Sequence, residues 1–373
     1  MRVLIATVTA GGGHLQAAAA LEEAWRSLRP KDTLERLDVL DFSPGLFKRI
    51  YKDGYATLAE HAPELYALVF KKTDNVALAR KLSRLRRAFS RATHRPFVAR
   101  LKAFRPDVVL CAHYLPLEIL GGLKAREPRF RTFTVCVVTD FEAHALWIEP
   151  CVDLYCVAAE ETKASLIARA VAAEQIAVTG IPISARFSAR LNARAIRKKH
   201  GLRDDLPLLL LLSGGFGMGH IAEVFAELDK LKERVQVLAV AGRNEELRRE
   251  LAGREHKQPT RVLGFVTNMH ELMAASDLIV TKPGGLTTSE ALASGKPLLI
   301  INPIPGQETA NSDYLLEHGA AIKVNRVEDV AARIDALVGS TRLTELARSA
   351  KALGRPAAAQ AVCREVLARL PAG

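Results

Sequence analysis

The sequence predicts an α/β protein with mainly parallel sheets, laid out as two similar units in tandem. Two observations carry this reading. Seven short runs (residues 3–8, 108–111, 133–138, 208–212, 235–240, 278–280 and 298–301) are apolar without period-two alternation, as strands buried on both faces are. Each ends at turn residues and leads into a helix-like segment, the crossover that parallel strands need. The halves also begin alike. The strand near Leu4 opens into Gly11-Gly12-Gly13-His14, and the run 208–212 opens into Ser213-Gly214-Gly215-Phe216-Gly217-Met218-Gly219-His220. Both halves read as Rossmann-like units whose parallel sheets face a central cleft, where a ligand is expected.

Element by element, residues 3–6 form the first strand, and Ala17 to Trp25 recur at helical spacing behind the glycines. Gly180-Ile181-Pro182-Ile183-Ser184 carries the turn and stiffening residues of a linker. The boundary falls near 183, giving domains of residues 1–183 and 184–354. The alanine-rich stretch 355–373 reads as a terminal helix long enough to pack back on the first domain. A chain of 373 residues supports two such cores. No run of 18 uncharged apolar residues occurs, and Met1-Arg2-Val3 enters a strand with no secretory pattern, so a cytoplasmic location is expected. Five irregularly spaced cysteines favour reduced thiols, with Cys151 and Cys156 in the core.

The net charge of +12 is uneven. Residues 76–106 contain no acid, while Arg80, Arg84, Arg87 and Arg91 recur at helical spacing opposite Leu78, Leu82, Leu85 and Phe89. Such a segment presents one apolar and one cationic face. Three readings fit it: an anionic lipid surface, nucleic acid phosphates, or a solvated face over a core.

The glycine loops exclude two chemistries. No Gly-x-x-x-x-Gly-Lys-Ser/Thr occurs, and neither loop has Gly-x-Gly-x-x-Gly followed by an acidic residue at the next strand end, which argues against a nicotinamide enzyme. A sharper signal is Thr281-Lys282-Pro283-Gly284-Gly285-Leu286-Thr287-Thr288-Ser289-Glu290. Here a strand ends, Gly284 and Gly285 allow close backbone approach, and a helix begins whose free N–H groups and positive dipole end suit a diphosphate. Glu290, one turn further, suits the two hydroxyls of a ribose. Gln307 and Glu308, after the next strand, suit sugar hydroxyls. Ordinary strand-to-helix connections with capping residues remain the bland alternative.

Taken together, Gly11-Gly12-Gly13-His14, Val138-Thr139-Asp140-Phe141, Gly264-Phe265-Val266-Thr267-Asn268-Met269, Lys282-Pro283-Gly284-Gly285 through Glu290, and Gly306-Gln307-Glu308 resemble one family. It is the monogalactosyldiacylglycerol synthase and processive diacylglycerol glucosyltransferase family, GT-B glycosyltransferases related to the enzyme that adds N-acetylglucosamine to lipid-linked muramyl-pentapeptide. The resemblance runs over nearly the whole chain. It implies the GT-B fold and a second half that binds a UDP-sugar. Gly264, Phe265 and Val266 would meet the uracil, Glu290 the ribose, and Gln307 and Glu308 the transferred hexose. Ser213, Gly214, Gly215, Gly284, Gly285 and Thr287 would meet the diphosphate, with Gly13 also on the donor side. The first half would take diacylglycerol or a related lipid, with the basic segment docking on an anionic membrane at the inner face of the cell membrane. Nucleic acid is not an expected partner.

Inverting transfer needs a base for the acceptor hydroxyl and a site for the departing UDP. His14, at a helix N-terminus that disfavours imidazolium, is the first candidate for the base. Asp140 would orient or share the proton, or be the base itself. His113, Tyr114, His144 and Trp147 are acceptor-side candidates, Trp147 being either a core aromatic or an interfacial anchor. No Asp-x-Asp pair occurs, so no metal requirement and no cofactor are expected. The alternatives are transfer to a polyprenyl-linked acceptor, a UDP-sugar epimerase, and a non-catalytic nucleotide-sugar sensor. Glucose and galactose are not distinguished.

Overall fold

The computed structural model describes residues 1–9, 11–51, 54, 62–78, 81, 93–213 and 221–370. The chain divides into two compact units. The first comprises Met1–Ala185, Pro305–Gln307 and Ala357–Gly373, and the second Arg186–Ile304 and Glu308–Pro356.

The first unit is built on six parallel strands, β1 (Arg2–Thr7), β2 (Thr33–Asp38), β3 (Val108–Cys111), β4 (Phe133–Val137), β5 (Leu154–Val157) and β6 (Ile176–Val178), in the order β2-β1-β3-β4-β5-β6. Cys111 is paired with both Ala6 and Cys136. Successive side chains point to opposite faces of a strand, so β1 feeds two cores. Leu4 and Ala6 join Phe97, Leu117, Leu120 and Trp147 on one face. Val3 and Ile5 join Leu21, Trp25, Val362 and Val366 on the other. That second core draws the terminal helix Ala358–Arg369 onto the first unit, against the helix Gly12–Leu28.

The second unit repeats the plan with β7 (Leu208–Leu212), β8 (Gln236–Val240), β9 (Thr260–Leu263), β10 (Leu278–Thr281), β11 (Leu298–Ile301) and β12 (Ala321–Val324), all parallel, in the order β12-β11-β10-β7-β8-β9. The expected runs all became strands. Five strands were not foreseen, and four of these, β2, β6, β9 and β12, are sheet edges.

Of the basic segment, Arg80, Arg84, Arg87 and Arg91 lie outside the described residues. It is not one continuous helix, because the backbone leaves helical geometry at His94 and a new helix runs over Arg95–Phe104 with proline in its first turn. All five cysteines are free thiols. No helix among the described residues is long and apolar enough to cross a membrane.

Candidate functional site

In a parallel sheet all strands end on the same side, so β1, β3 and β4 deliver their following loops to one edge of the first unit. After β1 the chain is pinned where Asp38, at the end of β2, accepts from the Thr9 N–H at 3.0 Å. Gly11 then turns at φ 110°, a backbone conformation that favours glycine, and the helix Gly12–Leu28 begins. His14 is therefore carried in the first turn of that helix.

The His14 ring is fixed by its neighbours. Nδ1 lies 2.9 Å from the backbone oxygen of Ala112, just past β3. A carbonyl only accepts, so Nδ1 carries the proton and donates it, with Thr139 Oγ1 sharing the N–H at 3.0 Å. Nε2 is left as the basic nitrogen. Burial lowers the His14 pKa, opposed by the nearby charge of Asp140 and by the Ala112 bond. The ring is thus neutral at pH 7.

His113 stands edge-on to His14, ring centres 4.7 Å apart. Its Nδ1 caps the helix Tyr114–Arg126 by accepting from the Leu115 N–H at 3.0 Å. Burial, and secondarily His14, push its pKa well down. Tyr114 lies beside His113, and its hydroxyl accepts from Tyr51 at 2.8 Å. Trp147 is only 4% exposed and belongs to the first core, with its ring 6.4 Å from His14. It is a core aromatic, not an interfacial anchor. His144 uses both nitrogens on the backbone: Nδ1 accepts from the Leu146 N–H at 3.1 Å, and Nε2 donates to the Phe70 carbonyl at 3.1 Å.

These side chains, with Asp140, wall a cavity of about 310 Å³ in the first unit. Its remaining wall was not foreseen. Tyr66, Val69, Phe70 and Thr73 come from the helix Pro63–Thr73, spaced three or four apart so that they share one face. The only sequence signal was that spacing with a proline at the helix start. The helix is anchored at its end by Asp74, which accepts from Arg169 at 2.5 and 3.0 Å and from the Ala145 N–H at 2.7 Å. These bonds hold the Asp74 carboxyl below its usual range despite the opposing effect of burial. Gln307, in the short segment grouped with the first unit, also lines the cavity.

In the second unit β7, β9, β10 and β11 end on the same side of their sheet in the same way. Ser213 follows β7 and donates its hydroxyl to the Val240 carbonyl at 3.1 Å. Gly214 and Gly215 lie outside the described residues, as does His220. Gly284 and Gly285 open the helix Gly285–Ala293, which brings Thr287 into its first turn and Glu290 one turn on. Burial alone pushes the Glu290 carboxyl up to about 8. Glu308 accepts from the Ile304 N–H at 2.7 Å, and buried Asn311 donates to the Pro283 carbonyl at 3.0 Å. One helix face thereby ties the loops after β10 and β11 together, a role not read for Glu308 or Asn311. Gly264, Phe265 and Val266 follow β9, with Phe265 exposed under the Arg243 guanidinium at 5.1 Å. Asn244 caps the next helix by accepting from the Leu247 N–H.

Among the described residues, no group of three or more His, Cys, Asp or Glu is placed to hold a metal ion.

Residues 14–183 match the family model for monogalactosyldiacylglycerol (MGDG) synthase, and residues 192–354 match that for glycosyl transferases group 1. A processive diacylglycerol beta-glucosyltransferase of Bacillus cereus (strain AH187) is 32% identical over 98% of this chain and 93% of its own length. Among solved structures, Acinetobacter baumannii MurG superposes with a TM-score of 0.62 at 16% identity, covering 98% of this chain and 99% of its own. Anabaena Alr3699/HepE, solved in complex with UDP-glucose, gives 0.60 at 14% identity, covering 99% of this chain and 100% of its own. These two likenesses establish the GT-B architecture, and the sequence relative establishes kinship. The chain belongs to the monogalactosyldiacylglycerol synthase and processive diacylglycerol glucosyltransferase family of GT-B glycosyltransferases.

Proposed function

We propose that this enzyme transfers a hexose from a UDP-sugar to diacylglycerol or a similar membrane lipid, with inversion at the transferred carbon, making a glycolipid. The observation that carries the reading is the His14 tautomer. With Nδ1–H committed to Ala112, the basic Nε2 belongs to a neutral imidazole at the wall of an aromatic cavity. His14 Nε2 takes the proton of the acceptor hydroxyl as its oxygen bonds to the anomeric carbon. The bond from that carbon to the diphosphate breaks on the opposite side, and UDP leaves with the electron pair. Asp140, whose charge favours imidazolium, steadies the proton once taken.

The second unit is assigned to the donor. The N-terminus of the helix Gly285–Ala293, with Thr287, Ser213, Gly214 and Gly215, takes the charge on the leaving diphosphate. Glu290 accepts from the ribose hydroxyls, and backbone groups of Gly264, Phe265 and Val266 meet the uracil. Gln307 and Glu308 face the hexose, Glu308 while holding the Ile304 amide. No metal is assigned a part.

The acceptor side fits a lipid. On the helix that walls the cavity, Leu65, Leu68 and Val69 are exposed, with Lys71 and Lys72 beside them. Apolar side chains next to cations suit an anionic bilayer surface, so the protein docks peripherally on the inner face of the cell membrane.

Incubation with diacylglycerol vesicles and radiolabelled UDP-glucose or UDP-galactose, followed by lipid extraction, tests the proposal. Label in the lipid from one donor is expected. No labelled lipid from either donor, in protein that still binds UDP, would overturn it.

A further inference from the structure

At the opposite end of the first sheet from His14, the starts of β1, β3 and β4 lie side by side. The Asp107 N–H donates to the Arg2 carbonyl at 2.8 Å and the Phe133 N–H to the Asp107 carbonyl at 2.9 Å. Around them opens a cavity of about 750 Å³. Five arginines line it, Arg2, Arg105, Arg126, Arg129 and Arg131, together with Lys102. Two acids line it as well, each with a partner in the same cavity. Asp107 accepts from the Arg2 backbone N–H at 2.7 Å, and Glu127 is paired with Lys102 at 2.5 Å. No carboxylate among the described residues pairs with any of the five arginines.

Like charges gathered on one concave surface repel one another, and an anion spanning them relieves that repulsion. Arginine forks grip phosphate oxygens in pairs, which favours clustered phosphates over a single carboxylate. The cavity has the size of a small-molecule site. It also lies roughly 17 Å along β1, at about 3.3 Å per residue, from the end that carries His14. The exposed leucines are on the helix whose Tyr66 and Phe70 wall the His14 cavity.

We propose that this cavity binds a soluble polyphosphate, a ligand with at least two linked phosphates, at a site separate from the transferase chemistry. The test is calorimetric titration of the full chain, saturated with UDP so that the donor site is filled, with inorganic tripolyphosphate and with orthophosphate. Tripolyphosphate is expected to bind once per chain and more tightly than orthophosphate. Affinity should weaken as salt rises. The variant Arg126→Gln/Arg129→Gln/Arg131→Gln, whose changes are all at exposed side chains, should bind tripolyphosphate at least tenfold more weakly and UDP unchanged. No binding to the parent chain, or equal binding to the variant, would overturn the proposal. A third arm uses phosphatidylglycerol vesicles. Unchanged vesicle binding by the variant is expected, whereas a loss confined to vesicles would assign the arginines to a membrane and overturn it.

Discussion

His14 Nδ1 and the backbone oxygen of Ala112 lie 2.9 Å apart, and this one bond decides which nitrogen of the ring is basic. Because the partner is a main-chain carbonyl, no side-chain substitution at position 112 removes it. The tautomer is built into the packing of β1 against β3.

The pH dependence of turnover follows from this geometry. Burial holds the His14 pKa below its ordinary 6.5, so the neutral base persists to lower pH than an exposed histidine would. The acid limb of log kcat/KM should have unit slope and a midpoint below 6.5. Asp140→Asn removes the charge that raises the pKa, so it should move that midpoint further down while lowering the rate. A midpoint moving upward in this variant would contradict the assignment.

Stability should respond to pH in a matching sense. His113 is buried and its folded pKa lies well below 6.5. Below pH 6.5 the unfolded chain binds a proton there that the folded chain does not, so stability falls with falling pH until the folded pKa is reached. The slope for such a group is about 1.4 kcal/mol per pH unit. Urea denaturation between pH 7 and 5 should show a smaller slope for His113→Asn, whose amide oxygen can still cap the helix.

Donor binding should also strengthen as pH rises. A carboxylate accepts from two ribose hydroxyls more strongly than a carboxylic acid does, so the Glu290 carboxyl, raised to about 8 by burial, should ionise as UDP binds. UDP affinity should rise as pH climbs from 7 through 8, with a proton released on binding. Calorimetry in buffers of different ionisation heat measures that proton, and Glu290→Gln should abolish both the release and the pH dependence.

Not all of this was legible in the sequence. The strands found from the sequence were those whose runs are apolar with at most one polar residue. Four of the five missed are edges, where only part of the strand is covered and polar residues are tolerated, as in Thr-Leu-Glu-Arg-Leu-Asp of β2. The exception, β5, is an interior strand, Leu-Tyr-Cys-Val, as short, as apolar and as buried as β3 and β11, and it was passed over all the same. His113 and Asp140 were singled out because they closely follow strand ends, and His14 because it stands in the first turn of a helix behind a glycine loop. Tyr66 and Phe70 were not, since aromatics at helical spacing look the same whether they face a core or a cavity. The Ala112 carbonyl offers no side chain to read.

The helix that carries those aromatics depends on Asp74. Removing it leaves Arg169 and the Ala145 N–H unmatched in a partly buried setting. Asp74→Ala should cost about 1–3 kcal/mol in urea denaturation. It should also raise KM for the lipid more than it lowers kcat. A KM unchanged beside a normal loss of stability would separate this helix from acceptor binding.

Lipid docking has its own signature. Replacing Leu65 and Leu68, exposed and outside the cavity wall, by serine should weaken binding to anionic vesicles and slow transfer to vesicle-borne diacylglycerol. Transfer to a short-chain, water-dispersed diacylglycerol should be nearly unaffected. Equal loss on both acceptors would place these side chains in folding rather than docking.

In the proposed lipid hexosyl transfer His14 takes the acceptor's proton. The most direct test of that step is the rate of hexose incorporation into diacylglycerol by His14→Gln, measured beside its affinity for UDP. The account predicts a kcat lower by about a hundredfold to ten-thousandfold, with UDP affinity unchanged. Near-normal turnover by this variant would contradict it and move the base to Asp140.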